Sequence, residues 1–343
     1  MTEGLQAYVE RPGVQTFAPP ILARGTLMRS FALRGTHDNF QSIVDKYLNA
    51  FAPAQTDYTF RAIGDVVFLA YAPMAHISVT DPIDRNKGWM RETDTAFWMP
   101  VAAGRTRGGV WIPEKLAWLL PYVWVDVPTA VATGREVYGF PKEMSWLTTP
   151  KSDAERLVFE LGTLVLPTYS PDTELVSRPL LRVERRSDLE PGEKRIWNDL
   201  EQVLREVVKL LQGDGKGLPI PPLGLDVDLL AHLAVGEVPM IFLKEFRDAA
   251  EPHRACYARI IGALSRVVGF RLAYPLLASY EVTIHAYASH PIAADFGFPM
   301  GPDGITTLTP EFGFYVDFDF ELGLGSVYMP RQDRGGYPPP PMP

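Results

Sequence analysis

Between Phe312 and Leu322 the chain alternates without a break. Phe314, Val316, Phe318, Phe320 and Leu322 take every second position, with Tyr315, Asp317, Asp319 and Glu321 between them. Side chains of an extended backbone leave on opposite faces with a period of two, so this run reads as a half-buried antiparallel strand. Short aromatic and β-branched runs bounded by turn residues predict further strands at Leu27–Leu33, Asp65–Tyr71, Ala96–Val101, Tyr122–Val127, Pro239–Leu243, Ala255–Ile261 and Glu281–Tyr287. Helical spacing of Phe40, Ile43, Val44, Tyr47 and Leu48 predicts a helix over Asn39–Phe51, and a short one is expected over Pro128–Thr133. A third helix, Glu193–Leu211, carries one apolar stripe from Ile196 to Leu211, with Pro191 near its start and Gly213 beyond its end. Many short strands and few helices make the chain α+β and antiparallel-dominated.

The 343 residues, 46% of them hydrophobic, suffice for a large core in one domain or two. With 41 acidic and 33 basic residues, a net charge of -8 and no Lys/Arg block interleaved with aromatics, no nucleic-acid partner is expected. The apolar stretch from Leu116 to Val127 is too short to span a bilayer and contains Pro121 and Asp126, and Met1–Gly13 has no apolar signal region. No membrane association and a cytoplasmic location are therefore the expectation. Cys256 is the only cysteine; it excludes an internal disulfide, and its neighbours Ala255, Tyr257 and Ala258 predict a buried small hydrophobe. His76, His285 and His290 do not form a metal motif, Gly213–Gly217 lacks the Gly-Lys-Ser/Thr of a phosphate loop, and no Gly-x-Ser-x-Gly elbow occurs. Neither a metal nor a cofactor is called for.

The segment with the most chemical promise is Gly134-Arg135-Glu136-Val137-Tyr138-Gly139-Phe140-Pro141-Lys142-Glu143. Pro141 biases Phe140 toward an extended backbone, so Lys142 leaves a strand edge in a fixed direction. Gly134 and Gly139 suit tight bends or the close approach of another backbone. Among Val137, Tyr138 and Phe140, desolvation disfavours the ammonium and makes Lys142 a candidate Schiff-base nucleophile. The plainer alternative is a strand-end lysine whose stem packs while its head stays in water.

Residues Gly134–Lys142, preceded by Val123-Trp124-Val125-Asp126 and Thr129–Ala132, resemble the active-site signature of the acetoacetate decarboxylase superfamily. Further similar pieces occur in the family's order: Met28–Leu33, Asp94 through Met99-Pro100-Val101, and Ile241–Lys244 with Arg254–Cys256. Acetoacetate decarboxylase is itself a known instance of a lysine activated by its pocket. The resemblance implies a closed, cone-like β-barrel with Lys142 inside, in a single domain over 1–343. An N-terminal arm (1–25), a helical insertion (about 185–235) and a Pro-rich tail (331–343) would decorate it. It also implies a homo-oligomer.

The departures from the family pattern are informative. Glu143 stands where the decarboxylases have a second lysine, and on an extended segment it would leave on the face opposite Lys142. Asp94, six residues before Pro100, replaces a glutamate and is the first candidate for general acid/base work; Glu92, on the same strand face, is the second. A solvated turn over Arg91–Thr95 is the competing reading. A second family glutamate aligns with Leu69. Thr26 aligns with the arginine that engages a substrate carboxylate, and the flanking Arg24 and Arg29 are candidates to substitute for it. Trp124 and Phe140 align with pocket aromatics. With the carboxylate-handling set incomplete, the resemblance implies a Schiff-base-forming lyase of aldolase/dehydratase type. Its partner would be a small-molecule keto acid or related carbonyl compound. The alternatives are an acetoacetate-like β-keto acid decarboxylase and a non-catalytic barrel that binds a small ligand.

Overall fold

A computed structural model of the protein describes residues 7–10, 13, 16–150, 155–188, 202–203 and 236–328. The chain forms strands β1 (Ile21–Arg34), β2 (Thr59–Ala62), β3 (Val66–Val79), β4 (Trp89–Arg107), β5 (Val110–Val125), β6 (Lys142–Thr148) and β7 (Leu157–Val165). These are followed by β8 (Val176–Arg185), β9 (Glu237–Arg247), β10 (Ala255–Pro275), β11 (Tyr280–His285), β12 (Ile305–Leu308), β13 (Phe312–Leu322) and β14 (Ser326–Val327). Helix α1 (His37–Val44) runs on into a π-helical turn, Asp45–Asn49; α2 (Pro128–Thr133) runs into another, Gly134–Tyr138; α3 spans Ile292–Phe296.

The strand order is β12-β11-β8-β7-β6-β5-β9-β10-β13-β1-β3-β4-β2, and β4 also pairs with β5. The pairings β5–β9–β10–β13–β1–β3–β4–β5 thus return on themselves in a ring. All are antiparallel except β5 with β9, which meet only at Trp118↔Met240 and Leu119↔Ile241. The parallel pairing of β5 with β6 leads out of the ring into a second sheet, β6-β7-β8-β11-β12.

Period-two alternation divides the apolar residues between two cores. One lies between the outer face of the ring and the second sheet, where Phe31, Leu69 and Phe97 meet Phe159, Leu181 and Val282; α1 adds Phe40, Val44 and Leu48. Tyr71 stacks on Phe159 at 4.6 Å between ring centroids. Burying each such phenylalanine stabilises the fold by about 1.5–3 kcal/mol. The other core lines the inside of the ring and surrounds a cavity of about 240 Å³.

The alternating run is β13, with the expected bounds, and the Asn39–Phe51 helix is found as α1 and its π-helical turn. β3 and β4 are longer than expected: β4 takes in Arg91–Thr95, so this stretch is strand and not turn. β1 begins at Ile21, which shortens the expected arm. Cys256 is exposed, contrary to expectation, because the β9–β10 hairpin runs past the core and Ala255, Cys256 and Tyr257 all meet solvent. The predicted helix Glu193–Leu211, apart from Gln202 and Val203, and the tail 331–343 lie outside the described residues. Among the described residues no helix is long and apolar enough to cross a membrane.

Candidate active site

Lys142 is the first residue of β6 and is 8% exposed. Its position is set by the turn before it. The Gly134 carbonyl accepts the N–H groups of Gly139 (2.9 Å) and Phe140 (3.0 Å), closing the π-helical turn. Gly139 ends the turn at φ +90°, where a side chain would be strained and a Cβ would sit 2.6 Å from the Cα of Lys244. Lys244 Nζ donates to the Val137 carbonyl at 3.2 Å and ties the turn to β9. Gly134 leaves room for the lysine stem, since a Cβ there would lie 2.5 Å from Lys142 Cδ.

The Lys142 ammonium points into the cavity and meets two carboxylates from β4. It donates to Glu92 Oε1 at 2.5 Å and lies 3.3 Å from Asp94 Oδ1. Glu92 and Asp94 share a strand face because they are two residues apart. Glu92 is buried; Asp94 keeps accessible surface, but that surface faces the cavity, while its Oδ1 is sealed against the lysine. The Phe140 ring lies 5.6 Å from Nζ.

The electrostatics reverse the expected sense for the lysine. Burial alone lowers its pKa, but Asp94 and Glu92 together outweigh burial and raise it above the usual lysine range, so the resting group is an ammonium. Burial, and then the Glu92 charge, push Asp94 well above the ordinary aspartate range. Burial also opposes ionisation of Glu92, yet the Lys142 charge and the Asp94 hydrogen bond prevail and hold its pKa below the usual glutamate range. Of the two carboxyl groups, Asp94 is therefore the one that holds a proton more readily and Glu92 the one that more readily carries the charge opposite the ammonium.

Glu143 leaves on the opposite face and faces the second sheet. Its Oε2 lies 2.8 Å from His290 Nε2, and Ser289 Oγ lies 2.8 Å from His290 Nδ1. Ser289 Oγ also accepts the Leu166 N–H at 2.9 Å. Glu143 is thus engaged away from the amine.

Three expected site residues lie outside the cavity. Trp124 pairs with Glu143 across β5 and β6, so its 1%-exposed ring faces the outer core and stacks on Tyr122. On an unbroken extended strand Arg24 would share the face of Thr26, but β1 has a bulge between Ala23 and Thr26, with Gly25 at φ +64°. The bulge turns Ala23 and Thr26 inward and leaves Arg24 exposed. Arg29 also faces outward, 5.3 Å from the Tyr315 ring centroid. Phe140, Lys142, Glu92 and Asp94 do line the cavity.

Sequence reasoning missed most of the cavity wall, including Thr26 as a lining residue, Trp98, Trp118 and Met240. One available signal was the β13 alternation, which sends Phe314, Val316, Phe318, Phe320 and Leu322 to the cavity together. Among the described lining residues Lys142 is the one cation.

No family model matches the chain, and no curated protein matches it in sequence. Solved structures do resemble it. Acetoacetate decarboxylase from Legionella pneumophila matches with a TM-score of 0.56 and 14% identity, over 95% of this chain and 93% of that one. Another acetoacetate decarboxylase structure matches at 0.53 and 15%, over 91% and 90%. The enduracididine biosynthesis enzyme MppR matches at 0.50 and 13%, over 91% and 90%. The chain therefore has the fold of the acetoacetate decarboxylase superfamily, at low sequence identity.

Proposed function

We propose that the protein is a Schiff-base-forming lyase of aldolase/dehydratase type, with Lys142 as the imine nucleophile. The observation that carries this reading is Lys142 Nζ set 2.5 Å from Glu92 and 3.3 Å from Asp94 at the wall of a largely apolar cavity. The same reading takes the ring of strands as a closed barrel around that cavity.

The resting triad has the protons the reaction needs. Glu92 takes one proton from the ammonium, and the free amine adds to the substrate carbonyl carbon to give a carbinolamine. Asp94, as the acid, protonates the departing hydroxyl; water leaves and the iminium forms. The Lys142 charge passes to the iminium nitrogen, and one proton returned from Glu92 to Asp94 restores carboxylate and acid. For aldol cleavage a carboxylate takes the β-hydroxyl proton, the Cα–Cβ bond breaks, and its electrons enter the iminium to give an enamine. For dehydration the carboxylate takes the α-proton and the acid protonates the departing hydroxyl. The ammonium resting state fits this scheme, because the base that frees the amine is already hydrogen-bonded to it.

Two observations bear on the choice of bond. MppR, on the same fold, is described in complex with the condensation product of pyruvate and imidazole 4-carboxaldehyde, which supports carbon–carbon chemistry. The two decarboxylase neighbours support β-keto acid decarboxylation as the second reading. Against it stands a described lining whose one cation is Lys142 itself. The test is cyanoborohydride trapping with pyruvate, acetoacetate and 2-octanone, followed by peptide mapping and product analysis. A reduced adduct on Lys142 is expected. Carbon dioxide release from acetoacetate favours the decarboxylase. No adduct on Lys142 with any of the three overturns the imine reading in favour of a ligand-binding barrel.

A further inference from the structure

We infer that the cavity takes a neutral, largely apolar carbonyl compound bearing a second oxygen, a hydroxyl or a carbonyl, which Thr26 receives at the far side from Lys142. The inference rests on the Schiff-base reading for the reacting end and on the cavity wall for the rest.

The charges come first. The described lining has one cation, Lys142, and two carboxyl groups, Glu92 and Asp94. When the imine forms, the lysine charge passes to the iminium and remains balanced by Glu92. Among the described lining residues no further cation is left to receive a substrate carboxylate, and Arg24 and Arg29 face away. An anionic substrate would bring another negative charge into a wall built from Phe68, Trp98, Trp118, Phe314, Phe318 and Phe320.

Thr26 supplies the second recognition point. It is fully buried in the cavity wall, and its Oγ1 has no hydrogen-bond partner. A buried hydroxyl without a partner is destabilising, and a bound oxygen would satisfy it. The bulge that turns Thr26 inward is anchored, because the Gly25 N–H donates to Asp319 Oδ1 at 2.7 Å. Cross-strand register sets Thr26 beside Met74 and Met74 beside Glu92. Thr26 therefore stands two strand spacings, about 10 Å, from the catalytic carboxylate. A hydroxyl both donates and accepts, so it suits a neutral hydroxyl or carbonyl oxygen at that distance.

Three ligands of matched length test the inference on the full chain: 8-hydroxyoctan-2-one, octan-2-one and 7-oxooctanoate. Binding is read from intrinsic fluorescence, since Trp98 and Trp118 line the cavity, and imine formation is read separately by cyanoborohydride trapping. The hydroxyketone is expected to bind several-fold tighter than octan-2-one and roughly tenfold or more tighter than the oxo acid. Thr26→Val, which keeps the shape and removes the hydroxyl, should abolish the advantage of the hydroxyketone over octan-2-one. Binding of the oxo acid as tight as that of the hydroxyketone overturns the inference, as does an unchanged preference in Thr26→Val or no saturable binding by any of the three. The fluorescence preference without any trapped adduct would sink the Schiff-base reading and leave the substrate class standing. Preferential trapping of the oxo acid would do the reverse.

Discussion

Replacing Gly134 by alanine should separate chemistry from stability. Gly134 sits at φ -60°, ψ -47°, a helical conformation that alanine adopts without strain. At a compatible helical position the change from glycine to alanine stabilises by about 0.5–1 kcal/mol. The new methyl, however, would lie 2.5 Å from Lys142 Cδ, 3.0 Å from Cγ and 3.1 Å from Cε. Carbon atoms rest about 3.5–4.0 Å apart, so the lysine stem must retreat by about 1 Å. Nζ travels with it, and its 2.5 Å hydrogen bond to Glu92 opens beyond bonding distance. A displacement of about 1 Å at a reacting group costs on the order of 100-fold in rate. The assay pairs the rate of cyanoborohydride adduct formation on Lys142 with a thermal melt. The expected variant is folded, within about 1 kcal/mol of the parent in stability, and at least tenfold slower to form the imine. Trapping at the parental rate in a folded variant would refute both the tight fit of the lysine stem and the importance of its contact with Glu92.

Two other perturbations follow from the same triad. Lys142→Met leaves Glu92 and Asp94 facing each other without a cation, and such a loss from a buried pair costs up to about 3–5 kcal/mol. Both carboxyl pKa values then lie above their unfolded values, so the deficit is full at neutral pH and vanishes as pH drops below the ordinary carboxylate range; urea unfolding across that range checks this. In the parent, the raised pKa of Asp94 has the same sign: stability is present below the unfolded aspartate pKa and is lost as pH rises toward the folded value. Asp94→Asn should therefore remove this decline of stability as pH rises above the ordinary aspartate range, while slowing imine formation by roughly 100-fold or more, as expected when a general acid is lost.

Where burial alternates with polarity the sequence was informative, and β13 could be read to its end residues. β7 and β8 were missed. In Leu157–Val165 burial alternates from Phe159 to Val165, but the residue types do not, with apolar Val158 and Leu164 on the outer face and Thr163 on the buried one, and Val176–Arg185 contains Pro179 and several charged residues. Lys142, Glu92 and Asp94 were legible because a motif and a period-two count bring them together. The facing of Arg24 was not, because a single bulged residue at Gly25 shifts the face of everything before it, whereas Arg29, between the inward-facing Met28 and Ser30, falls on the outer face by the period of two alone. The resting charge of Lys142 was misjudged for a related reason: local sequence displays the apolar neighbours of the lysine, whereas its carboxylate partners arrive from 50 residues away.

The short pairing between β5 and β9 has a mechanical consequence. The ring consists of two shells, β1-β3-β4-β5 and β9-β10-β13, each built from strands adjacent in the ring. On one side the shells are joined along nearly the whole of β1 and β13, from Ile21↔Leu322 to Ala32↔Phe312; on the other they meet at only two residues a side. By the length of pairing the first junction would act as a hinge and the second as a clasp, and the clasp residues Trp118 and Met240 both line the cavity. Hydrogen exchange at Trp118–Leu119 should therefore outpace exchange along the hinge. A ligand that fills the cavity and touches both Trp118 and Met240, one on each shell, would slow exchange at the clasp most.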